Sequence, residues 1–107
     1  MAKRFDNVIQ RVRALLEALD EGGRVPTRER IEETLTEGYA AALTLDGERL
    51  RLERRMDEVA AHVAQGGGGR VKEMQIVLEE LETTEENLAE LRDLLATLRD
   101  RAAVVAA

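Results

Sequence analysis

The chain has 107 residues and a formal net charge of −6, is rich in Leu, Ala and Glu, and contains no Cys, Ser or Trp. This composition is typical of long helices, and it excludes an all-β domain, a disulfide framework, a thiolate metal site and a cysteine or serine nucleophile. The acidic charge repels a phosphate backbone and no apolar run reaches the roughly 18 residues that span a bilayer, so we expect neither nucleic acid nor membrane as a partner.

The first predicted element is an amphipathic helix over residues 5–21. Apolar residues recur every three or four positions from Phe5 to Leu19, which gives the helix one face for packing in a core. The basic start of the chain runs directly into this pattern without an apolar leader, so we expect a cytoplasmic protein. Gly22 and Gly23 follow, and either can end the helix in a left-handed conformation.

The second predicted element is a long helix over residues 27–65. It starts at Pro26 or Thr27, with an N1 proline or a hydroxyl cap, and contains no further proline. A heptad pattern makes eight of its ten core positions apolar. These positions are Ile31, Leu35, Gly38, Ala42, Leu45, Arg49, Leu52, Met56, Val59 and Val63.

Four glycines at 66–69 predict a turn, and a third helix follows over residues 70–105. Nine of its ten core positions are apolar, and the exception is Thr84. Two helices of similar length joined by a short flexible loop favour an antiparallel hairpin. The pairs expected to face each other in this hairpin are Leu45 with Leu88 and Met56 with Leu78.

These elements predict an all-α fold in a single helical domain, 1–107. The short N-terminal helix packs on a long antiparallel two-helix coiled-coil hairpin. Apolar residues remain outside the hairpin core, and a second copy related by a two-fold axis would cover them and complete a four-helix-type bundle. The residues expected on this self-association or partner face are Tyr39, Leu43, Leu50, Ile76 and Leu94.

Arg49 and Thr84 are polar residues of the two heptad patterns, and they lie almost opposite each other in the predicted hairpin. Glu85 and Glu86 are adjacent to Thr84, so we expect the guanidinium of Arg49 to reach one of these carboxylates. A charged residue in a coiled-coil core disfavours slipped alignments, which predicts that these four residues set the hairpin register. The alternative role of Arg49 is to bind an anion or a protein partner.

Few residues offer catalytic or metal chemistry. His62, the only histidine, follows Glu58 by one turn, and two ligands make a poor metal site. The glycines at 66–69 lack the Lys-Ser or Lys-Thr pair of a phosphate loop, and the carboxylates at 79–90 are explained by a solvated helix face. We therefore expect no catalytic residue, no metal and no cofactor, and we expect that the protein is not an enzyme.

The layout of a short helix before a long antiparallel hairpin resembles that of RsiG-type anti-sigma proteins. That family holds cyclic-di-GMP with a Glu-x3-Ser-x2-Arg-x3-Gln-x3-Asp pattern along a helix. Arg49 and Asp57 match this pattern on the second helix, and other residues occupy its Ser and Gln positions on both helices. On the third helix the matching residues are Glu85, Arg92 and Asp100. The resemblance implies a regulator of a transcription factor that responds to an anionic nucleotide.

Two functions are thus expected from the sequence. The first is a non-enzymatic helical-hairpin protein that forms a homodimer and mediates protein–protein interaction, as a regulatory or adaptor protein. The alternative is the nucleotide-responsive, anti-sigma-like regulator. The sequence identifies neither a particular partner nor a pathway.

Overall fold

The computed structural model describes residues 2–21, 25–66 and 68–106, and all the regular structure in these ranges is helical. The elements are α1 (Ala2–Asp20), α2 (Arg28–Ala64), a short 3-10 turn (Gly68–Arg70) and α3 (Val71–Ala106). The short helix α1 packs on a long hairpin formed by α2 and α3, which confirms the predicted all-α architecture. Gly22, Gly23 and Gly67, where the sequence predicts turns, lie outside the described residues.

Capping residues explain where α2 begins and ends. It begins after Thr27, whose Oγ1 accepts a hydrogen bond from the backbone N–H of Arg30 at 3.1 Å, so Thr27 is the N-cap and Pro26 precedes it. At the other end the backbone N–H of Gly66 donates to the carbonyl of Val63 at 3.1 Å, and Gly66 has a φ of 91°. Glycine adopts this left-handed conformation without a Cβ clash, so the chain reversal begins there.

Met1–Leu43 and Ala89–Ala107 form one compact unit, to which all three helices contribute. Apolar side chains less than a tenth exposed make its core: Phe5, Ile9, Val12, Leu15, Ile31, Ala42, Leu91, Leu95 and Leu98. A close approach of α2 to α3 occurs at Gly38, where a Cβ atom would overlap Cδ2 of Leu95 and lie 3.2 Å from its Cγ. Glycine at this position is what allows the two helices to pack so closely.

Ion pairs at the rim of this three-helix unit join α1 to both long helices. The pairs are Arg11 with Glu37, Arg13 with Glu90, and Arg101 with Asp20. Their side chains are between 37 % and 53 % exposed, and pairs of this kind contribute about 0–1 kcal/mol each. The apolar core therefore supplies most of the stability of the unit, and the ion pairs help to orient α1.

Thr44–Leu88 form the second compact unit, which contains only the facing halves of α2 and α3 and the turn between them. Its buried side chains are Leu45, Val59, Val77, Thr84 and Leu88. Other heptad core positions of this unit are only half-buried: Leu52, Met56, Val63, Met74 and Leu81. Two helices cover each other along one line of contact, so without a third helix the edges of that line stay exposed to water. We call this unit the hairpin unit, and this line of contact its seam.

Candidate protein interface

The seam of the hairpin unit has two sides, and an ion pair identifies the first of them. Arg55 of α2 bonds Glu73 of α3 across the seam. Each of these residues immediately precedes a seam residue, Met56 in one helix and Met74 in the other. Residues one turn away from Arg55 or Glu73 on their helices lie on the same side, because residues three and four apart are neighbours on a helix surface. We call it the Arg55 side.

The second side is identified by residues that immediately follow a seam residue, such as Glu53 after Leu52 and Leu78 after Val77. Leu50 lies one turn from Glu53 and belongs to it as well. We call it the Leu50 side.

Arg49 occupies a seam position and turns its guanidinium toward the Leu50 side. Its Nε and Nη2 donate to Oδ1 of Asp46 at 3.2 and 2.8 Å, and its Nη1 donates to Oε1 of Glu53 at 2.7 Å. The hydrogen bond to Asp46, followed by the charge of Glu53, raises the pKa of Arg49 above its ordinary value. An anion binding here would compete with two carboxylates already in place.

The hydrogen bonds of Arg49 thus lie within α2, whereas the sequence predicted that Arg49 would reach Glu85 or Glu86 on α3. Both glutamates have exposed side chains, and Thr84 is buried in the seam. Carboxylates three and four residues away on the same helix are within reach of an arginine without any contribution from a second helix, which explains the choice of partners. A role of these four residues in setting the register stays a prediction.

Exposed apolar side chains lie on both sides of the seam. On the Leu50 side Leu50 is 43 % exposed, Leu78 46 % and Val71 38 %. On the Arg55 side Ile76, one turn after Glu73, is 56 % exposed. Side chains of this size stay exposed at a cost, and a row of them on one face is typical of a protein-binding surface.

The residues predicted to form one self-association or partner face therefore do not share one surface. Leu50 and Ile76 lie on opposite sides of the seam, and Tyr39 and Leu43 are exposed in the three-helix unit. Leu94 is half-buried, also in the three-helix unit. Because the prediction grouped apolar residues by helix, it did not separate the two sides of each helix.

Val71 was missed as an exposed residue of the Leu50 side. Sequence reasoning placed Leu78 near Met56 and among the apolar residues outside the primary seam that a partner should cover, and it is nearly half exposed. Leu78 and Val71 are seven residues apart and thus share one side of α3, and each lies one residue outside the heptad core positions. That offset was the available signal.

Charge distinguishes the two sides further. The Leu50 side carries carboxylates from both helices: Asp46, Glu53, Asp57, Glu82 and Glu85. Two basic residues accompany them: Arg49, which is bonded to two of these carboxylates, and the exposed Arg54, which lies one turn from Leu50 on α2. The Arg55 side has both signs, with Arg51 and Glu58 one turn to either side of Arg55 on α2.

A compact ionic cluster lies near the turn of the hairpin. Arg70 donates from Nε to Oε2 of Glu73 at 2.9 Å and from Nη2 to Oε1 at 3.2 Å, and Arg55 bonds the same carboxylate. The hydrogen bonds from Arg70, together with the charge of Arg55, lower the pKa of Glu73. The same hydrogen bonds raise the pKa of Arg70. Opposite charges in this cluster satisfy one another, so it helps to fix the start of α3.

The side chains best suited to metal or catalytic chemistry lie in open surroundings. His62 is exposed, and Glu58 lies 3.5 Å from Nη1 of Arg55. Within the described ranges, His, Asp and Glu side chains do not gather in any group of three suited to hold a metal ion. A shallow groove of about 410 Å³ runs along one helix, α2, and is lined by Glu29, Glu32, Glu33, Thr36 and Glu37. Such an open groove cannot supply the dry surroundings that general acid or base catalysis requires.

Comparisons with protein-family models, with curated proteins and with solved structures give no match to this chain. In the part of the chain that the structure describes, none of the helices combines the length and the apolar character needed to cross a membrane.

Proposed function

We propose that the protein is a non-enzymatic interaction protein whose hairpin unit pairs with the hairpin unit of a second copy. The observation that carries the proposal is the half-buried seam, at Leu52, Met56 and Leu81, beside the exposed side chain of Ile76. A second pair of helices laid on the Arg55 side would cover these side chains and complete a four-helix arrangement. Burial of apolar area supplies the driving force, at about 25 cal/mol per Å².

Charge on the Arg55 side favours a second copy as the occupant. Arg51 is 72 % exposed, and Glu58 is exposed two turns further along the same helix. A two-fold axis midway between these residues would set two α2 helices antiparallel, so that Arg51 of each copy faces Glu58 of the other. The pair would then occur twice, as in any isologous contact, and would oppose a shifted alignment.

The same axis brings apolar positions together. Leu52 of one copy would lie against Met56 of the second copy, since these residues are also nearly equidistant from the axis along α2. On α3, Ile76 and Leu81 are likewise nearly equidistant from the axis. Ile76 of one copy would therefore lie close to Leu81 of the second copy. The contact therefore combines an apolar centre with an ionic edge, which is the usual arrangement of a specific interface.

Mass measurement by light scattering across micromolar concentrations tests the proposal. We expect a concentration-dependent dimer that Ile76→Glu dissociates, because a carboxylate would be buried in the apolar centre. Leu50→Glu is the matched control, an apolar-to-acidic change on the other side of the seam, and should leave the mass unchanged. A monomer at every concentration, with Ile76→Glu having no effect, would rule out self-association.

A charge exchange tests the alignment. Arg51→Glu alone and Glu58→Arg alone should each weaken the dimer, because each places like charges opposite one another. The double variant carries both changes, restores opposite charges across the axis and should regain most of the affinity. If the double variant is as weak as the two single variants, the antiparallel contact of the α2 helices is wrong even where a dimer exists.

A further inference from the structure

We propose that the Leu50 side of the hairpin unit is a docking surface for an amphipathic helix of another protein, one whose apolar stripe is flanked by Lys and Arg. This binding goes beyond the proposed self-association, because it uses the opposite side of the seam. Both can therefore occur in the same molecule.

The apolar side chains of this surface form a row of helical dimensions. If Arg49 faces Thr84, Leu50 lies about five residues from Leu78 along the hairpin, or about 7 Å at 1.5 Å per residue. Val71 lies seven residues beyond Leu78 on α3, about 10 Å further. A row of about 18 Å corresponds to three turns of an added helix, which is the length over which amphipathic ligand helices place their apolar anchors.

Charge decides which helix fits this row. The five carboxylates beside it come from both α2 and α3, so an added helix lying between them would have acidic groups on both flanks. Arg49, shared between Asp46 and Glu53, and the exposed Arg54, one turn from Leu50, offset two of these five charges, so the surface keeps a net negative charge. Lys or Arg on both flanks of the added helix would form charge-assisted pairs with these groups, and acidic flanks would be repelled.

The same charge argues against other occupants. A second copy on this side would place the carboxylates of two chains opposite each other, which is the reverse of the arrangement on the Arg55 side. A nucleic acid or an anionic lipid surface is repelled by the same groups. A basic amphipathic helix is thus the partner whose chemistry matches both the apolar row and its flanks.

A pair of synthetic peptides tests the inference on the full chain. The probe is an 18-residue fluorescent helix with Leu on one stripe and Lys on both flanks, and the matched control carries Glu in place of every Lys. In fluorescence anisotropy titrations we expect the Lys peptide to bind at least ten-fold more tightly than the Glu peptide. Raising the salt concentration should narrow this difference, because the charges on the flanks are exposed to solvent.

Variants of the chain locate the peptide. Leu78→Glu should weaken the Lys peptide at least ten-fold, whereas Ile76→Glu, the matched change on the Arg55 side, should leave its affinity unchanged. Glu53→Lys combined with Glu82→Lys should remove most of the preference for the Lys peptide, because three carboxylates then face two added lysines. Circular dichroism on each variant shows that the helices are intact.

Three outcomes would overturn the inference: no binding of the Lys peptide at millimolar concentration, equal binding of the two peptides, or equal sensitivity to Leu78→Glu and Ile76→Glu. Light scattering on the Leu78→Glu variant separates a loss of peptide binding from a loss of self-association. A variant that loses the peptide and remains a dimer shows that the two sides act independently.

Discussion

The two compact units use the same pair of long helices and bury them to different extents. In the three-helix unit Leu91 and Leu98 are fully buried. In the hairpin unit the heptad pattern continues without a break, yet Leu52 and Leu81 are only half-buried. The difference is the presence of α1 in one unit and the lack of a third helix in the other. A heptad pattern thus specifies which residues face the neighbouring helix, and the number of surrounding helices decides how much water they lose.

Truncation of matched leucines gives the largest expected difference between the units. Leu98→Ala should lower the free energy of unfolding by about 2–5 kcal/mol, because a fully buried leucine loses its contacts and leaves a cavity. Leu52→Ala should cost about 1 kcal/mol, since part of this side chain is already in water. Urea denaturation at low protein concentration measures both values. Equal costs would show that Leu52 is covered as well as Leu98.

A pair of glycines on α2 provides the second test. Gly38→Ala should destabilise the three-helix unit by about 1–2 kcal/mol, because the new Cβ overlaps the buried side chain of Leu95 and overpacking outweighs the gain in helix propensity. Gly47→Ala should stabilise the hairpin unit by about 0.5–1 kcal/mol, since nothing lies within 4 Å of its new Cβ. Thermal unfolding of both variants gives the signs, and a stabilising Gly38→Ala would contradict the close packing at Leu95.

The substitution Arg49→Leu tests how the charge of Arg49 affects the stability of the seam in the hairpin unit. We expect the free energy of unfolding to stay the same or to rise slightly, because a half-buried charge is replaced by an apolar side chain of similar volume. Arg49→Ala should destabilise the protein, since it also removes the packing of the arginine stem. Chemical denaturation compares the two, and a clear loss of stability in Arg49→Leu would show that the bonds to Asp46 and Glu53 are worth more than seam burial.

Among these tests, acidification should have the smallest effect on the stability of the protein. The pKa of Glu73 is lowered in the folded protein, so this carboxylate contributes stability that is complete above its unfolded pKa, roughly 4.3, and is lost as the pH falls through its folded pKa. The melting temperature of the native protein should therefore fall more steeply below that pH than that of Glu73→Gln. Glu79→Gln, a matched change at an exposed position, should follow the native curve. Parallel curves for all three proteins would contradict the role of the Arg70–Glu73 bonds.

The fold was predictable because its signals are local. Thr27 marks the start of α2, Gly66 its end, and apolar residues at intervals of three and four define each helix. The partners of Arg49 were not predictable in this way. They depend on a choice among several carboxylates within reach of the same guanidinium.

The ion pairs of α1 also bear on the order in which the protein folds. Arg13 and Glu90 are 77 residues apart in the chain, and Asp20 and Arg101 are 81 apart, whereas Arg55 and Glu73 of the hairpin unit are separated by only 18. Closing a long loop costs more entropy than closing a short one, so contacts around the turn should form early. During synthesis the last helical turns of α3 must emerge before α1 can complete its core. Until then the apolar face of α1 has only α2 to pack against, and the nascent chain is most exposed to aggregation in this interval.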